Sequence, residues 1–144
     1  MLPGFEGFLS ADKKTIVGTF TESKPPATYY DLMIIQITGQ TYPAGPMPAG
    51  IYAAHMLGIG AAPAPFWAHF TSTVASGGGI SFSDWVSDPV VSAPDSTAGS
   101  IDALGTLTIA GIPTYHGQVS HDGKFTVGTL TNGPGVYSLQ ITTK

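Results

Sequence analysis

One phrase occurs near both ends of this chain. Ser10-Ala11-Asp12-Lys13-Lys14-Thr15-Ile16-Val17-Gly18-Thr19-Phe20-Thr21 returns as Ser120-His121-Asp122-Gly123-Lys124-Phe125-Thr126-Val127-Gly128-Thr129-Leu130-Thr131, 110 positions later. Upstream, Pro3, Phe5 and Gly7 match Pro113, Tyr115 and Gly117. Downstream, after a gap, Tyr30-Asp31-Leu32 matches Tyr137-Ser138-Leu139. The phrase reads as strand, tight turn, strand. Asp-Gly-Lys is turn chemistry, because glycine supplies the positive φ of primed hairpin turns. Lys13 stands where the other copy has Gly123, which predicts a first turn of different type or length. The Thr- and Val-rich stretch that follows suits a pleated sheet. A glycine inside a strand marks a bulge, a bend or the close approach of another group. No third copy lies between the two, so this is not a tandem array. The two ends predict an all-β fold whose first and last strands become neighbours, and closure into a barrel achieves that while removing exposed edges.

The chain's 144 residues predict a single β domain, 1–144. Only 10% of residues are charged, against roughly 25% in an average domain, while 42% are hydrophobic. Such a chain folds rather than staying disordered. All five cations are lysines and none lies between Lys24 and Lys124. Nucleic acids need clustered cations, Arg above all, and anionic membranes need a basic surface, so neither is an expected partner at a net charge of −4. No apolar run approaches the ~20 residues of a membrane helix. Cysteine is absent, which removes disulfides, thiolate metal sites and Cys nucleophiles. Met1-Leu2-Pro3-Gly4-Phe5-Glu6 has neither the basic region nor the apolar core of a signal peptide, so a cytoplasmic or a trimmed secreted protein is expected.

Taken in order, residues 5–10 and 15–22 form a hairpin and 28–38 a central strand with both parities apolar. A proline-rich loop, 39–50, follows. Residues 51–57 are read as strand rather than helix, because Pro48, Gly50, Gly58 and Gly60 bound them closely. Strands are expected at 66–75, 80–86, 101–110, 114–121, 125–131 and 136–142. Residues 87–100 read as a long surface loop, functional or mobile. The total is about 8–10 strands: an antiparallel β-barrel, with a calycin-like up-and-down barrel favoured, or a β-sandwich.

No G-x-S-x-G elbow, P-loop or H-E-x-x-H is present. Gly58-Ile59-Gly60-Ala61-Ala62 runs into prolines, so it is a turn and not a cofactor loop, and no cofactor is expected. In Phe66-Trp67-Ala68-His69-Phe70 the strand period puts Trp67 and His69 on one face with Thr71 and Thr73. Phe66, Ala68, Phe70 and Val74 share the core face. The Trp67 face is either a ligand platform or a ring covering the sheet beside a solvated histidine. Asp84, next to Trp85, alternates with Ile80, Phe82 and Val86. That predicts either an inward-pointing carboxylate touching ligand or a carboxylate at the strand's mouth. His55, His69, His116 and His121 show no i,i+2 or i,i+4 spacing; separate strands could still bring three of them together, but the sequence gives no sign of it, and no metal site is expected.

The phrase Gly123-Lys124-Phe125-Thr126-Val127-Gly128-Thr129-Leu130-Thr131 is similar to strands of small up-and-down barrels of the calycin type, such as lipocalins and avidins. The likeness spans the two hairpins alone. The lipocalin Gly-x-Trp opening and the avidin tryptophan pattern are absent, so no functional residue carries over. The leading expectation is a non-catalytic barrel binding a small, mostly uncharged ligand or glycan through Trp67, His69, Trp85, Asp84, Tyr52 and Tyr29. One alternative is a structural domain that self-assembles into a homo-oligomer through edge strands. The other is a cofactor-free enzyme using a barrel cavity.

Overall fold

The computed structural model describes residues 5–24, 27–37, 39–60, 65–131 and 136–144, with backbone alone for 21–24, 27–32, 60 and 136. Every regular element among them is a strand. These are β1 (Phe5–Leu9), β2 (Thr15–Lys24), β3 (Ala27–Gln36), β4 (Gly45–Pro46), β5 (Gly50–Gly60), β6 (Phe66–Val74), β7 (Gly79–Asp88), β8 (Thr97–Ile101), β9 (Thr106–Ile109), β10 (Ile112–Val119), β11 (Phe125–Thr131) and β12 (Val136–Thr143).

Strands β5 to β12 each pair antiparallel with their neighbour in sequence, and β12 returns to β5. The result is a closed, eight-stranded, up-and-down barrel. Closure leaves no open edge on these strands. Eight strands enclose an interior just wide enough for packed side chains or one small ligand. The short β4 pairs with Ser100 and Ile101 of β8, beyond Thr97 and Ala98 where β7 pairs. The proline-rich loop delivers Tyr42 and Met47 into the barrel core beside Tyr52, Val74, Ile80, Ile101, Leu107, Tyr115 and Val119. Tyr52 Oη donates to the Pro48 carbonyl at 2.8 Å and Met47 N–H to the Gly99 carbonyl at 2.9 Å, which tie that loop down.

β1, β2 and β3 form a sheet of their own. The described chain divides into two compact units, Met1–Gln40 with Ser120–Asp122, and Thr41–Val119 with Gly123–Lys144. Among the described residues β12 pairs with β11 and β5, and β1 pairs with β2. Within the first unit, His121 Nδ1 lies 3.5 Å from Asp12 Oδ2 and 3.4 Å from Lys14 Nζ.

The β1–β2 and β10–β11 hairpins pair in the same register. Phe5↔Phe20, Gly7↔Gly18 and Leu9↔Ile16 correspond to Tyr115↔Leu130, Gly117↔Gly128 and Val119↔Thr126. The third strands correspond too, Ile16↔Ile35 answering Thr126↔Thr142, and Gly18↔Met33 answering Gly128↔Gln140. In each hairpin a ring lies flat across the glycine pair. Any Cβ on Gly7 or Gly18 would run into Phe5, and any on Gly117 or Gly128 into Tyr115. Glycine in these strands makes room for an aromatic side chain, which restores the packing that a bare strand lacks.

The two turns also match, contrary to the expectation from Lys13. Lys13 takes φ 58° where Gly123 takes φ 67°. Side-chain hydrogen bonds hold the strained residue in place. Ser10 Oγ donates to Asp12 Oδ1 at 2.5 Å and accepts from the Thr15 N–H at 3.0 Å, while Asp12 Oδ1 accepts from the Lys14 N–H at 3.1 Å. Ser120 Oγ donates likewise to Asp122 Oδ1 at 2.6 Å. These bonds also lower the pKa of Asp12, the Ser10 hydroxyl most of all.

Candidate functional site

The inward side chains of the barrel leave a cavity of about 120 Å³. The lining from β6, β7 and β9 is apolar but for Ser72: Phe70 of β6, Ile80 and Phe82 of β7, and Leu107 and Ile109 of β9. On β10 to β12 the lining is mixed, with Ile112 and Leu130 beside four polar side chains, Tyr115, Thr126, Gln140 and Thr142. The alternation of a strand puts these four on the inner face, because each stands one pleat from an outward residue. Thr126 Oγ1 and Thr142 Oγ1 share a hydrogen bond of 2.6 Å, and Tyr115 is hydrogen-bonded with Thr126. Pro94 and Asp95 of the loop between β7 and β8 also face the cavity. Trp85 Nε1 donates to the Val91 carbonyl at 2.9 Å and the Val91 N–H to Ser87 Oγ at 2.9 Å, which fold that loop back on β7.

The four polar side chains are particular to the barrel. At the corresponding register positions β1 to β3 carry Phe5, Ile16, Met33 and Ile35. Hydrocarbon thus stands in one hairpin set where the other has four hydrogen-bonding groups. A buried hydroxyl costs stability unless it finds a partner, and Tyr115, Thr126 and Thr142 find theirs in one another.

Burial pushes the Tyr115 phenol up to about 12. Tyr115 therefore stays neutral and donates a hydrogen bond across the working pH range. The unfolded chain loses this proton near 10 and the folded one near 12. Barrel stability is expected to fall by roughly 2–3 kcal/mol between those pH values. Urea unfolding measured at pH 9, 10.5 and 12 checks this, and Tyr115→Phe should remove that part of the alkaline loss.

The six residues singled out in the sequence do not converge. Trp67 and His69 lie on the outer face as their parity requires, with rings stacked at 5.9 Å and 8°. Leu57, Ile59, Tyr137 and Val86 are exposed on the outer side of the neighbouring strands. Tyr52 is fully buried in the core, its phenol raised by burial and bonded to the loop. Tyr29 sits on β3 opposite Glu22, and its side chain lies outside the described residues. Trp85 points inward and stacks on Phe70 at 4.6 Å, while Phe82 meets Phe70 edge-on at 5.6 Å.

Asp84 departs from its expected inward direction. The β6–β7 register shifts between His69 and Thr71, whose partners are Val86 and Ser83. The extra residue is a bulge at Asp84, with φ 54°, which turns Trp85 inward and Val86 outward. Asp84 is left exposed and accepts from Ser83 Oγ at 2.9 Å. Asp and Asn tolerate positive φ better than other side chains, which suits this residue to the bulge.

Among the described residues no three metal-ligating side chains converge. Comparison with protein-family models, with curated proteins and with solved structures finds no match.

Proposed function

We propose that the barrel binds a small, uncharged, largely apolar molecule with one hydrogen-bonding group, held inside the cavity without chemical change. The observation that supports this reading is the mixed lining, a few hydrogen-bonding side chains, Tyr115, Thr126, Gln140 and Thr142, set in a mostly aromatic and aliphatic cavity. The volume sets the size of the guest. An apolar cavity of about 150 Å³ takes up benzene, whereas drug-sized ligands need about 300 Å³ or more. The 120 Å³ here suits a molecule of roughly benzene size better than a glycan. Tyr115 and Asp95 are the ionisable side chains lining it among the described residues, and a phenol near 12 serves as a donor rather than a base. Trp85, stacked on the cavity-lining Phe70, is a built-in reporter. Thermal shift and Trp85 emission, read in a Trp67→Phe background, should respond to phenol or cyclohexanol and less to benzene or cyclohexane. No response to any such probe would end this reading.

One observation favours a second role in self-assembly. Among the described residues β1 and β3 each have a strand neighbour on one side only, and Phe8, Leu9 and Ile35 on them are exposed. Open apolar edges recruit further strands unless a charge or proline guards them. Light scattering over a concentration series should then show oligomers that Ile35→Lys disperses. A homogeneous monomer at high concentration would remove the assembly reading.

A further inference from the structure

His55 and His69 stand directly opposite each other on β5 and β6. Both are exposed on the outer wall, with ring centroids 6.4 Å apart and planes tilted by 42°. They are 14 positions apart in sequence, so no local spacing signals them; the antiparallel register brings them together. We propose that this pair is a clamp for a late first-row divalent cation, Cu²⁺ above all and Ni²⁺ or Zn²⁺ less tightly.

The geometry is close to what such an ion needs. Metal–imidazole bonds of about 2.0–2.1 Å put two rings on one ion at centroid separations of roughly 5–6 Å. His69 is steadied by Trp67, stacked on it at 5.9 Å. His55 is therefore the ring that closes the remaining gap, by side-chain rotation in open solvent. The lateral neighbours are Ile141 opposite His55 and Val86 opposite His69, and no lysine or arginine occurs between Lys24 and Lys124. No cation on β5 to β7 competes with the metal. Two neutral nitrogen donors with the remaining positions left to water suit Cu²⁺ by the ordering of divalent affinities, while Mg²⁺ and Ca²⁺ demand oxygen cages. The clamp lies on the face of the sheet away from the cavity, so it stands whether or not the barrel holds a guest.

Trp67 makes the clamp visible, since a paramagnetic ion held against its stacked neighbour quenches its emission. The chain has two tryptophans, and the other, Trp85, faces inward. Titration of the full chain with CuCl₂ at pH 7.5, in a non-coordinating buffer, should quench Trp67 in a saturable way at one equivalent. His55→Ala and His69→Ala should each weaken binding by about tenfold or more, with thermal stability unchanged because both rings are exposed. His116→Ala, a lone exposed histidine on β10, should leave the curve as it is, and MgCl₂ should have no effect. Trp67→Phe should keep the heat of binding in calorimetry and lose the quench. Linear quenching without saturation, or wild-type affinity in both His55→Ala and His69→Ala, would overturn the proposal.

Discussion

Gly128→Ala is expected to destabilise the barrel by about 2–3 kcal/mol, and Gly128→Val by more. Strand propensity alone argues the opposite, since exchanging glycine for alanine normally gains about 0.5–1 kcal/mol. Packing decides the sign. A methyl group at Gly128 would collide with the Tyr115 phenol, and that ring is only 7% exposed, hemmed in by the main core cluster. It cannot swing aside into solvent. The opposite glycine, Gly117, lies under the same ring, so the hairpin cannot relax by sliding one strand. Urea unfolding of Gly128→Ala, Tyr115→Ala and the double variant separates these effects. The glycine exchange should cost less by about 1–2 kcal/mol once the ring is gone, a coupling expected of groups in direct contact. A neutral or stabilising Gly128→Ala in the wild-type background would show that the ring does not require the glycine.

The same glycine pair marks how far the sequence could be read. The repeated phrase carried strand registers as well as strand identity, because each glycine fixes where an aromatic ring can lie. Parity alone placed Ala68, Phe70 and Val74 inside and Trp67 and His69 outside. Parity failed at Asp84, because one bulge residue exchanges the faces of everything after it, and an aspartate that accepts positive φ gives no other sign. The predicted strand 101–110 broke for a similar reason. Asp102 Oδ1 accepts from the Leu104 and Thr106 N–H groups at 2.8 and 2.9 Å, and Gly105 takes φ 82°. Asp-Ala-Leu-Gly is thus the β8–β9 turn, and β8 begins inside what reads as loop. Those same backbone donors, Thr106 first, lower the pKa of Asp102. The cavity's polar residues had a legible trace. Aligning the two phrases sets Phe5, Ile16, Met33 and Ile35 against Tyr115, Thr126, Gln140 and Thr142. What no alignment of the phrases contains is which strands face those residues, because barrel closure alone brings β6 and β7 across from β10 to β12.

Transplanting that hydrocarbon set into the barrel is the sharpest test of why the polar residues are there. The variant Tyr115→Phe/Thr126→Ile/Gln140→Met/Thr142→Ile is expected to be more stable than the parent by about 2 kcal/mol and to bind no probe. Each Thr→Ile exchange replaces the hydroxyl by a methylene and adds a methyl, and each buried carbon is worth about 0.8 kcal/mol. The Thr126–Thr142 hydrogen bond loses both partners together, a change that is near neutral, and Tyr115→Phe removes the hydroxyl that would otherwise be stranded. The added carbons also take space from a 120 Å³ cavity that has little to spare. The fold already accommodates these side chains at the matching register of β1 to β3, so strand geometry is not an obstacle. Higher stability with lost binding means that the hydroxyls and the amide are kept for a guest at the expense of the fold, the usual trade at binding sites. If the variant is less stable, the four groups are structural. If it still shifts with phenol, the guest lies elsewhere.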